Sequence, residues 1–90
     1  MEFIKTPNSI YLNDENGKTV AEVTFPEVEK DVVNINHTFV DASLRGQGVA
    51  GQLMRQTAEY LRQNNKKAVL TCSYAIKWFG EHKEYSDIVK

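Results

Sequence analysis

Val40-Asp41-Ala42-Ser43-Leu44-Arg45-Gly46-Gln47-Gly48-Val49-Ala50 joins two segments of different period, and the fold follows from that junction. Upstream, Val33, Ile35, His37 and Phe39 share one face of a two-residue alternation, which predicts a strand over 32–40. Downstream, Val49, Leu53, Met54, Thr57, Ala58 and Leu61 recur at helical spacing and predict a helix over 49–63. Gly46 and Gly48 therefore sit between a strand end and a helix start. Glycine permits positive φ and lets a ligand approach the main chain with no Cβ in the way. Consecutive amides there, with the unpaired N–H groups of the helix's first turn, make a concave donor set suited to an anion, a phosphate ester above all. The plainer alternative is a glycine turn that only closes a tight connection.

Working outward, Ser9-Ile10-Tyr11-Leu12 is a short apolar run, and Asn13 to Gly17 is a cluster of turn formers. Ala21, Val23 and Phe25 alternate along a second strand, 19–25, which Pro26 should end because it cannot donate to a ladder. Lys30-Asp31 is a plausible turn into the third strand. On the other side, Asn64-Asn65 stops the helix, and Lys66 and Lys67 suit its negative end. Ala68 to Tyr74 reads as a buried strand, and Ala75 to Lys83 as a short helix packed through Trp78 and Phe79. Glu84 to Lys90 is expected to be a docked tail anchored by Tyr85, Ile88 and Val89. The expected fold is α/β: an antiparallel three-strand meander followed by β-α-β-α. Its crossover joins parallel strands and makes the sheet mixed.

Ninety residues suffice for one domain, 1–90, and not for two cores. A hydrophobic share of 41% and a charged share of 26% are those of an ordinary globular chain. A formal charge of -1 gives no electrostatic reason to expect nucleic acid or an anionic membrane. One cysteine, Cys72, excludes an internal disulfide and a cysteine-rich zinc site, so no metal is expected. The opening stretch to Gly17 has acids, a proline and no apolar run of the roughly 7–15 residues a signal peptide needs. No segment approaches the roughly 18 apolar residues of a membrane helix, and a cytoplasmic protein is expected.

Three phosphate motifs compete for the glycine turn. A P-loop needs Lys-Ser or Lys-Thr after its last glycine, whereas Gly51 is followed by Gln52-Leu53. Gly46-x-Gly48-x-x-Gly51 fits the letters of the dinucleotide fingerprint. That motif belongs in the first βαβ unit of a longer parallel sheet with an acid closing its second strand. Here three antiparallel strands come first, and the strand predicted for 68–74 ends in Ser73-Tyr74.

The stretch from Val40 to Ala50 resembles the coenzyme A signature of the GNAT N-acetyltransferase superfamily. Its pattern is Arg or Gln, two residues, Gly, one residue, then Gly or Ala. Arg45, Gly48 and Ala50 stand in those places. The segments Cys72-Ser73-Tyr74, Trp78-Phe79 and Glu84 to Val89 are similar to the short, minimal branch of that superfamily. The resemblance implies an acetyl-CoA-dependent N-acetyltransferase, with coenzyme A as co-substrate and an amine as acceptor. It implies coenzyme binding through Phe39, Val40, Arg45, Gly46, Gln47, Gly48, Val49 and Ala50. The chain departs from larger relatives in lacking the two helices that shape their acceptor site. It also has no carboxylate between Val32 and Val40, where many relatives hold a general base. Those departures keep open a rival reading, a catalytically idle coenzyme A binding module.

Acetyl transfer needs a deprotonated nucleophile, a polarised thioester and a proton for the leaving thiolate. On the predicted strand 68–74, Cys72 and Tyr74 share a face, so both are candidates to border the thioester. Tyr74 is the candidate acid; Cys72 is a candidate nucleophile, acid or pocket lining. His37 is a candidate base, or a structural histidine between Ile35 and Phe39.

Overall fold

The structure, a computed structural model, describes residues 2–90. Seven strands and two α-helices follow in the order β1 (Phe3–Thr6), β2 (Ser9–Asn13), β3 (Thr19–Thr24), β4 (Glu27–Glu29), β5 (Val32–Ile35), β6 (His37–Val40), α1 (Val49–Gln63), β7 (Lys67–Leu70) and α2 (Ser73–Glu81). They build one α/β domain with two sheets. The first is antiparallel, ordered β1-β2-β3-β6; the second, β4-β5-β7, is mixed, with β5 and β7 parallel. The helix α1 occupies the residues its periodicity predicts. Asn64 caps it and Asn65 turns out of it at φ 57, while Asp31, at φ 60, forms the turn before β5.

Two predicted strands need correction, and one cause explains both. The strand expected over 32–40 is two strands, broken at Asn36, whose N–H donates to Thr24 O (3.2 Å). β5 stays in the second sheet while β6 crosses to β3 in the first. β7 pairs with β5 only from Lys67 to Leu70, because beyond Ile35 its partner has left. The N–H groups of Thr71 and Cys72 both close on Ile35 O, at 3.2 and 3.1 Å, and the chain then winds into α2. The strand expected to reach Tyr74 thus ends at Leu70. β1 and β4 are additional short strands at the sheet edges.

The core lies between α1 and the sheets. Val49, Leu53, Met54, Ala58 and Leu61 of α1 are buried with Ile10, Leu12, Ala21, Val23, Val33 and Ile35. The buried Thr57 hydroxyl donates to Leu53 O (2.8 Å), so no polar group is stranded there. The end of the chain docks as expected: Tyr85 and Ile88 are buried, and a 3-10 turn over Lys83–Ile88 precedes a bridge from Val89 to Ala68. Arg62 on α1 grips both Asp87 carboxylate oxygens at 3.0 and 2.6 Å. Lys66 pairs with Glu27 (3.6 Å), and Lys67 opens β7. Among the described residues no helix is long and apolar enough to cross a membrane.

Candidate active site

The turn between β6 and α1 starts on a side-chain cap. The Asp41 carboxylate accepts the Ser43 N–H (3.0 Å) and hydroxyl (2.6 Å), which starts a 3-10 turn over Ala42–Leu44. These two Ser43 bonds hold the Asp41 carboxyl below the usual carboxylate range, so the cap is anionic at neutral pH. Gly46 and Gly48 then take φ values of +83 and +73, where an L-residue is strained. A Cβ at either would meet nothing within 4 Å, so the space over both glycines is open.

Gly48 is the N-cap of α1 and offers it no side chain; the first turn carries no acid. The first bond into the helix runs from Gln52 N to Gly48 O (3.1 Å). Among the described residues the amides of Gly46, Gly48, Val49, Ala50 and Gly51 have no backbone acceptor. The positive end of a 15-residue helix is therefore uncompensated and faces open space. This donor set fits a diphosphate.

The amides open onto a cavity of about 410 Å³. Of the residues expected to bind coenzyme, Val40, Arg45, Gly46, Gly48, Val49 and Ala50 line it. Phe39 and Gln47 do not. The Phe39 ring lies on the other face of the sheet, 41% exposed, and the Gln47 amide folds back onto Ser43 O (3.4 Å). Thr38, Leu44 and Gly51 line the cavity without having been anticipated. For Thr38 the signal was present: it shares the strand face of Val40.

β6 is the edge strand of its sheet. Asp41 N donates to Val20 O (2.7 Å), which fixes the phase of the ladder. Counting back by twos, the main-chain groups of Phe39 face β3, and those of Thr38 and Val40 face the unpaired side. That side borders the cavity, which both residues line.

Cys72 and Tyr74 are not on a strand, and their shared face is corrected accordingly. Cys72 is the N-cap of α2 and Tyr74 lies in its first turn. Cys72 Sγ is 3.5 Å from Thr38 Oγ1. Burial pushes its thiol up, but the Thr38 hydroxyl and the N–H groups of Ala75, Tyr74 and Thr38 outweigh this and leave it below the ordinary thiol value. Tyr74 lines the cavity; its hydroxyl lies 3.8 Å from where a Gly51 Cβ would stand. Burial, aided by the Glu81 charge, raises the phenol above its usual value, so it is protonated at neutral pH. His37 is exposed on the outer face, paired across from Thr24, and does not line the cavity.

A family model described as GCN5-related N-acetyl-transferase matches residues 9–88. Protein NATD1 of Danio rerio is 33% identical over 79 residues, covering 86% of this chain and 70% of that protein. Protein NATD1 of Mus musculus is 31% identical over 74 residues, covering 82% and 66%. The solution structure of a GCN5-like protein from Staphylococcus aureus superposes with a TM-score of 0.81 at 32% identity, covering 99% of this chain and 87% of that one. At 15% identity, Rv2747 from Mycobacterium tuberculosis, crystallised with CoA, shares the fold with a TM-score of 0.65, over 84% of this chain and 47% of that one. The chain belongs to the GCN5-related N-acetyltransferase family.

Proposed function

We propose that the chain is an acetyl-CoA-dependent N-acetyltransferase that acylates an amine. The observation that carries this reading is the uncapped N-terminus of α1, whose unpaired amides open onto the same cavity as the free edge of β6. Family membership and the fold shared with a protein crystallised with CoA support it. Bound acetyl-CoA supplies the activated acetyl group. The amides of Gly46 and Gly48 to Gly51 hold the diphosphate, and Arg45, beside them, supplies positive charge. The Val40 N–H, facing the open side of β6, is placed to polarise an acyl carbonyl. The Tyr74 phenol gives its proton to the departing thiolate as the amine nitrogen takes the acyl carbon and the carbon–sulfur bond breaks, and the proton the nitrogen then sheds returns to the phenolate.

A second reading, a coenzyme A binding module without turnover, draws on the absence of a carboxylate from β5 and β6. Titration with CoA, followed by assay of acetyl-CoA with an amine, separates the two. The transferase reading expects an N-acetylated amine and free CoA. Binding without product leaves the module, and loss of both removes the site. Gly48→Val localises it: the new side chain meets no protein atom but is strained at φ +73, so the variant is expected to keep the folded core, checked by its NMR spectrum, and to lose CoA binding because the valine displaces the turn and occupies the space over it. Undiminished affinity would show that coenzyme binds elsewhere.

A further inference from the structure

The antiparallel sheet buries one face against α1 and leaves the other open. Across the open face the register sets Ile4 beside Tyr11, Tyr11 beside Glu22, and Glu22 beside Phe39. One row of side chains thus crosses four strands and ends on β6, at the edge bordering the cavity. Ile4 and Phe39 are 39% and 41% exposed; Tyr11 and Glu22 are half-buried. Directly opposed side chains stand about 5 Å apart at Cβ, so the Glu22 carboxylate lies between two aromatic residues. Among the described residues Glu22 has no ion-pair partner; Glu2, Asp14, Glu15, Asp31, Asp41, Glu81 and Glu84 also have none, but they lie outside the strands, and only Glu22 stands in a cross-strand row between two aromatic residues. A carboxylate carried by a half-buried residue between two aromatic residues, without a cation of its own, is complementary to an ammonium group.

We infer that this row is a cation subsite for the acceptor, and that the acceptor is an extended diamine. One ammonium seats on Glu22 between Tyr11 and Phe39, while the other amine, deprotonated, reaches over the β6 edge. Glu22 lies one strand in from that edge, and the acyl group lies just outside it. The two nitrogens are therefore separated by roughly two strand spacings, on the order of 10 Å. The inference deepens the acetyl-transfer reading and rests on it.

The test compares octamethylenediamine with octylamine and with ethylenediamine, which is too short to span the row, at saturating acetyl-CoA. Beyond the statistical advantage of its second amine, octamethylenediamine is expected to show a kcat/KM roughly five- to tenfold higher. Glu22→Gln removes that preference, and Glu22→Lys reverses it. Equal rates in the parent chain, or a preference that survives both substitutions, overturns the subsite while leaving acetyl transfer intact. If no amine is acetylated, NMR titration of the CoA-bound protein with octamethylenediamine still reads the subsite. Shifts at Tyr11, Glu22 and Phe39 uphold it, and their absence overturns it.

Discussion

Only Ser73 separates Cys72 from Tyr74, yet the start of α2 sends them to different chemistry. The sulfur faces Thr38 and the first-turn amides of α2, donors that favour the thiolate, while partial desolvation and the Glu81 charge favour the neutral form of the phenol. Cys72 is thus charged at lower pH than a free thiol, and Tyr74 keeps its proton well past neutrality. Direct transfer assigns Tyr74 the acid's role and leaves Cys72, which does not line the cavity, without a proton to move. Tyr74→Phe should keep coenzyme affinity and lower turnover by the ~100-fold or more of lost acid catalysis. Cys72→Ala should be milder. The competing route makes Cys72 a covalent acetyl carrier, activated by its lowered pKa. Mass spectrometry of the protein with acetyl-CoA alone decides. A stoichiometric adduct on Cys72 that an amine then discharges would overturn direct transfer.

At the level of elements, what the sequence could show was local. The helix α1, the Asp31 and Asn65 turns and the glycine turn depend on neighbours a few residues away, and each was legible. The split at Asn36 was not, because Val33, Ile35, His37 and Phe39 keep an unbroken alternation across it. Only the transfer of β6 to β3 ends the shared face: Val33 and Ile35 are buried, His37 and Phe39 exposed. The premature end of β7 follows from the same event, so the letters of 68–74 could not reveal it. β1 and β4 escaped for another reason, as short, largely exposed edge strands with little apolar patterning. The split that hid these features also creates the edge on which the site is built. That edge has a measurable signature. Amide exchange should be fast at Val40 without ligand and slow at Phe39, whose N–H faces β3. If the free edge pairs with coenzyme, CoA should slow Val40 and leave Phe39 unchanged. Fast exchange at Phe39 in the free protein, slowed by CoA while Val40 is unchanged, would mean the phase of β6 is reversed.

For the molecule as a whole, the decisive feature is what covers the antiparallel sheet and what does not. β2 and β3 are joined by a turn closed on itself, with Asp14 N donating to Lys18 O (2.8 Å) and Gly17 N to Asp14 O (3.0 Å). The Asp14 carboxylate also accepts from the Asn16 and Lys18 amides at 2.9 Å each. Nothing in that connection extends over the outer face, so an acceptor there meets one sheet surface and no opposing wall. Binding then lacks the burial of most of the ligand surface that a formed pocket provides. An exposed ion pair contributes about 1 kcal/mol or less, and a cation over an exposed ring adds a similar amount. Neither can replace an enclosing pocket. Michaelis constants for small amines should accordingly lie near ~1 mM, the upper end for enzymes, even for a diamine that engages Glu22. Initial-rate measurements over an amine series check this. A micromolar constant for one small metabolite would require a closed acceptor pocket, formed by a second copy of the chain or by movement of the β2–β3 turn over the sheet.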